Sequence, residues 1–127
     1  MPEYLSIVET AYRASIEEQD DPVLWLNAMI AGDGLDLALL FRSNAVNYLV
    51  KGQKPNKIKV GSLVQKHPPE IEADIGGLID DGVPVYAIAE DLAQRGIAKS
   101  ETISGVTFIS SNDVPSLLNQ HKQIWHW

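Results

Sequence analysis

Cysteine is absent from this 127-residue chain, and its absence removes a whole tier of chemistry. No disulfide can form, no thiolate can attack, and no thiolate sulfur is available to a metal. Long apolar runs are missing too: nothing approaches the ~20 consecutive apolar residues that cross a bilayer, so no membrane partner is expected. Met1 to Thr10 carries Glu3 and Glu9. It lacks the basic start and apolar stretch of a secretory signal, so a cytoplasmic location is the expectation. Cations are few, 10 Lys and Arg against 17 Asp and Glu, for a net charge of −7. A field of that sign repels polyanions and excludes nucleic acid as the expected partner.

Ligand-like patterns are equally scarce. His67, His121 and His126 show no metal-binding spacing, and the acidic run Glu17 to Asp21 lacks the alternation and central glycine of a calcium loop. Gly32-Asp33-Gly34 ends a helical pattern rather than opening one, the wrong context for a dinucleotide. No metal and no cofactor is implied.

What is present is an ordinary globular composition, 45% apolar and 21% charged, enough for one domain over residues 1–127. Tyr4 to Val8 reads as a first strand, and Ala11 to Gln19 as a connection or irregular helical turn. Asp20-Asp21-Pro22 opens a helix, because aspartate caps free N–H groups and proline fits the first turn. Val23, Leu26, Met29 and Ile30 would share its buried face, with Gly32 or Gly34 ending it. Leu35 to Phe41 is nearly continuous apolar, as suits a strand covered on both faces. Arg42-Ser43-Asn44 is its polar exit, and Ala45 to Val50 a short helix.

Lys51 to Pro69, with three prolines and two glycines, reads as loop. Helical spacing resumes over Glu70 to Asp81 and stops at Gly82. Strands are expected at Pro84 to Ala89 and Gly105 to Ile109, with a helical turn from Asp91 to Arg95 between them. Ser111-Asn112-Asp113 caps a last helix, Val114 to Gln120, and Lys122 to Trp127 is a terminal strand. Helices alternate with strands and no Asn-Gly hairpin signal occurs. The fold class is therefore α/β, with a mainly parallel sheet of about five strands between helical layers.

The richest segment is Pro84 to Ile97, PVYAIAEDLAQRGI. An apolar strand runs into Glu90 and Asp91, and a helical turn halts at Arg95-Gly96. This segment, with the first strand, the capped helix and the apolar second strand, resembles the DsrE/DsrF-like sulfur-relay family. The resemblance implies a three-layer α/β/α fold and assembly as trimers, hexamers or hetero-oligomers. It also implies a persulfide-carrying cysteine eight residues before the glycine of the Arg-Gly pair, a position held here by Ile88. A hydrocarbon cannot carry a transferred sulfur, and neither methionine can replace a thiolate. The resemblance thus points to a family fold without the family's cysteine-dependent reaction.

Strand ends are where α/β folds place ligands, which makes Glu9, Arg42, Asn44, Glu90 and Asp91 candidates. Paired carboxylates can act as acid and base, while capping of the following helix is the commoner role. Trp125 and His126, in a tail with two of the three tryptophans, are further candidates for a pocket or a subunit interface. Lys51, Lys54, Lys57, Lys59 and Lys66 form a basic stretch with no acid between Ser43 and Pro69. It would serve as a solvated loop, an anion site or a contact with a neighbour's acidic face. Three readings follow: an oligomeric binding or accessory module, a small non-thiol enzyme using strand-end carboxylates, and a non-catalytic subunit of a sulfur-relay complex. The second would draw on Glu9, Glu90 or Asp91 with His126 and Arg42.

Overall fold

The computed structural model describes residues 2–12, 20–54 and 57–127. In chain order these form β1 (Tyr4–Val8), α1 (Pro22–Gly32), β2 (Leu37–Phe41), a 3-10 segment (Ser43–Leu49), β3 (Lys59–Val60) and β4 (Leu63–Val64). They continue with α2 (Ile71–Asp80), β5 (Val85–Ile88), α3 (Ala89–Gln94), β6 (Thr107–Ile109), α4 (Val114–Asn119) and β7 (Gln123–His126).

Five strands form one sheet in the order β6-β5-β2-β1-β7, and every neighbouring pair is parallel. The chain runs from β1 outward through β2, β5 and β6, then crosses back to lay β7 beside β1. Because crossovers are right-handed, that reversal puts α4 on the opposite face from the earlier helices. The two cores agree. One packs Val8, Phe41, Tyr48, Ile75, Val85 and Leu92 beneath α1, α2 and α3. The other packs Leu5, Ile7, Ala38, Leu40, Ile88 and Leu117 beneath α4.

β2 sits at the sheet centre, and all five of its residues are buried. Its unbroken run LALLF needs no polar alternation, since helices cover both sides. Each such leucine or phenylalanine contributes about 1.5–3 kcal/mol through burial. The expected α/β architecture is thus the observed one.

Four local readings need correction. The buried face of α1 centres on Leu24 and Asn27, with Val23 and Ile30 packed on the core as expected, while Met29 is half exposed. This helix carries no charged residue, so hydrophobic periodicity had nothing polar against which to choose a face. The loop from Lys51 to Pro69 contains an antiparallel hairpin, β3 to β4, turned by Gly61 at φ +62° and Ser62. Gly-Ser is itself a two-residue hairpin signal. The short helix after β2 is 3-10 and starts two residues early, at Ser43. α3 begins at Ala89 and so already includes Glu90. The expected connection from Ala11 to Gln19 falls mostly on 13–19, outside the described residues.

Candidate functional site

Because the five strands are parallel, their carboxyl ends share one rim, and the polar residues that follow them divide into three groups along it. At the β7–β1–β2 end, Glu9 N–H donates to Trp127 O (3.0 Å) and Arg42 N–H donates to Val8 O (3.1 Å), extending the sheet's hydrogen bonding past the strand ends. This fixes three side chains together. His126 Nε2 lies 2.6 Å from Glu9 Oε2, and Arg42 Nε lies 3.7 Å from Glu9 Oε1. The second distance is too long for a hydrogen bond, and the shielded Arg42 Nε has no other acceptor among the described residues. All three side chains remain part-exposed.

In the middle, between β2 and β5, the backbone turns through Ser43 at φ +51°, a left-handed conformation costly for a non-glycine residue. Asp91 Oδ2 accepts from Ser43 N–H at 2.8 Å and holds that turn. Arg95 braces the same corner, donating to Asp91 O (3.1 Å) and to Asn44 Oδ1 (2.9 Å).

At the β5–β6 end, Glu90 Oε2 accepts from Ser111 N–H (2.7 Å), from Ser110 Oγ (3.3 Å) and from the Ser111 hydroxyl. Those donors, the Ser111 hydroxyl first and its amide second, hold the Glu90 carboxyl below its ordinary range. The two adjacent carboxylates therefore do not face each other. Each caps a backbone amide on a different segment.

Ile88, the position of the family cysteine in the resemblance, is only 4% exposed, within the core under α4. Trp125 lies away from this rim. It stacks on Tyr4 with ring centroids 5.4 Å apart, on the face opposite Ile88. The next tryptophan, Trp127, donates from Nε1 to Ser6 Oγ at 2.6 Å, tying β7 to β1. So the structure gathers Glu9, Arg42 and His126, places Asn44 and Asp91 at a second corner, puts Glu90 at a third, and leaves Trp125 elsewhere. The lysines at 51, 54, 57, 59 and 66 are exposed along the 51–69 segment.

One polar network escaped sequence reading. Asp21 is buried at the start of α1. Its Oδ1 accepts from Val23 N–H (3.0 Å) and Leu24 N–H (3.1 Å), and its Oδ2 accepts from Tyr48 O–H (2.7 Å). The Tyr48 oxygen in turn accepts from Tyr12 N–H, and the Tyr12 hydroxyl donates to Gln53 Oε1. Burial, then the hydrogen bond to Asp21, pushes the Tyr48 hydroxyl's pKa upward. Beside it, Asp74 Oδ2 is shielded, with no hydrogen-bond partner among the described residues. Burial first, then repulsion from Asp20, Glu70 and Asp21, raises the Asp74 carboxyl to about 6. The capping aspartate was legible; its tyrosine partner, 27 residues on, had no local signal.

A five-stranded parallel sheet ringed by helices, with its polar side chains at the carboxyl rim, defines a doubly wound α/β protein. No family model and no curated protein sequence matches the chain. Its fold does match solved structures. It is similar to the YchN protein from E. coli (TM-score 0.77, 20% identity, 100% of both chains covered). It is also similar to MTH1491, a protein of unknown function from Methanobacterium thermoautotrophicum (TM-score 0.65, 15% identity, 96% of both chains covered). At these identities the likeness is one of fold. Among the described residues no helix is long and apolar enough to cross a membrane.

Proposed function

We propose that this chain is a DsrE-like binding or accessory module that works in the cytoplasm without a thiol, as a homo-oligomer of three or six copies. The observation that carries the reading is the occupation of the reactive position. A sulfur carrier needs an accessible, polarisable nucleophile at this strand end, and here a buried isoleucine sits between core leucines. The neighbouring carboxylates are engaged with the amides of Ser43 and Ser111, so acid–base work would have to break the caps. Binding capacity survives at the open corner, where the side chains of Arg42, His126 and Glu9 reach solvent.

The hydrogen bond between His126 and Glu9 favours one second reading, a small hydrolytic enzyme based on that pair. Two measurements separate them. p-Nitrophenyl acetate is expected to turn over no faster with the wild-type chain than with His126→Gln; a rate lost on that substitution would favour the enzyme. Light scattering at micromolar concentration is expected to report an oligomer, and a clean monomer would overturn the assembly part of the proposal.

A further inference from the structure

Two apolar surfaces of this chain face water, and their charges are opposite. The first is the β3–β4 hairpin, where Val60, Leu63 and Val64 are 68%, 75% and 49% exposed. Gln65 closes its base, donating from N–H to Ile58 O (2.8 Å) while its Oε1 accepts from Ile58 N–H (3.3 Å). Lys57 and Lys59 stand exposed beside these apolar tips, in a stretch that holds no acid from Ser43 to Pro69.

The second surface is the outer side of α1. Trp25 and Met29, 48% and 50% exposed, lie four residues apart on one helical face. A helix without a single charge is ordinarily covered all round, yet only the side bearing Leu24 and Asn27 is covered here. No Lys or Arg occurs from Pro22 to Phe41. Exposed Asp33 and Asp36 follow the helix, and Asp36 and Asp81 line a shallow pocket of about 400 Å³ between the carboxyl ends of α1 and α2. Helix carboxyl ends add partial negative charge there.

We propose that these surfaces dock on each other between copies, the basic hairpin of one protomer lying across α1 of the next. Charge selects this pairing over its alternatives. Hairpin on hairpin would oppose Lys57 and Lys59 to their own copies, and α1 on α1 would join two segments that hold no Lys or Arg to meet Asp33 and Asp36. Only the crossed contact joins apolar tips to an apolar helix face while setting lysines against aspartates. Such a contact is heterologous, so it propagates from copy to copy and closes into a ring if the rotation permits. The inference rests on the oligomer proposed above and names its interface.

The cysteine-free background allows a direct test. Leu63→Cys and Trp25→Cys chains are unfolded together, refolded as a mixture and mildly oxidised. The crossed contact gives a disulfide-linked species containing one of each, while either chain alone stays largely unlinked. Lys57→Glu with Lys59→Glu is expected to weaken association by about tenfold, and adding Asp33→Lys with Asp36→Lys to restore it in part. An oligomer in which Leu63→Cys chains link to each other, or in which neither position links, overturns this interface and leaves the oligomer reading standing. A wild-type chain that is monomeric at every concentration overturns both. So does a monomer that sediments with phosphatidylserine vesicles through the hairpin, which would assign the surface to lipid.

Discussion

The two ends of the strand rim use similar side chains to opposite effect. At the β5–β6 end Glu90 accepts from the amide of Ser111, and at the neighbouring β2–β5 corner Asp91 accepts from that of Ser43, so both hold loops in place. At the β7–β1 end, the Glu9 carboxylate accepts from no backbone amide among the described residues and meets His126 and Arg42 in partial contact with water. A carboxylate at a strand end is therefore not a functional group by position alone. What it accepts from decides whether it is scaffold or binding surface.

That contrast can be broken most severely at the third capping carboxylate, Asp21. Asp21→Ala removes the α1 cap and strands the buried Tyr48 hydroxyl, and should cost about 3 kcal/mol in a urea titration. Loss of less than about 0.5 kcal/mol would mean the network carries no stability. Asp91→Ala should cost about 1–2 kcal/mol by the same measurement, because the Ser43 amide loses its acceptor in a left-handed turn. An unchanged midpoint would remove Asp91 from the scaffold class.

Asp74 sharpens the comparison through pH. Its carboxyl is raised to about 6, so the folded state favours the protonated form. The associated stability is present in full below the ordinary carboxylate range and is lost as pH rises through about 6. Asp74→Asn should therefore raise the melting temperature at pH 8 and leave it nearly unchanged at pH 4. An equal shift at both pH values would contradict the assigned cause. The smallest effect belongs to the open corner. Glu9→Gln and His126→Gln should each alter stability by no more than about 0.5 kcal/mol, and a larger loss would make that corner structural as well.

The sheet was legible because the strands differ in how they are buried. Leu37 to Phe41 is apolar throughout, Asp21-Pro22 opens a helix chemically, and Gly82 and Gly96 close two others at positive φ. The rim residues at 9, 42, 44, 90 and 91 followed from those strand ends. Their grouping did not, because it depends on strand order: β7 lies beside β1, so His126 meets a glutamate 117 positions earlier in the chain. Trp125 was misleading for a related reason. Alternate residues of a strand point to opposite faces, so its neighbour His126 reaches Glu9 while Trp125 packs on Tyr4. The α1 face was read only in part, Val23 and Ile30 packing on the core and Met29 facing out, because a helix with no charge contains no polar side to read.

Amide hydrogen exchange at Ser43 and Ser111 reaches the central claim most directly, since both N–H groups are held by the carboxylates that chemistry would otherwise need. Both amides should be protected in the wild-type chain, with Ser43 losing protection in Asp91→Ala and Ser111 in Glu90→Ala. Exchange of both at open-loop rates in the wild type would contradict the account, because Glu90 and Asp91 would then be free to react.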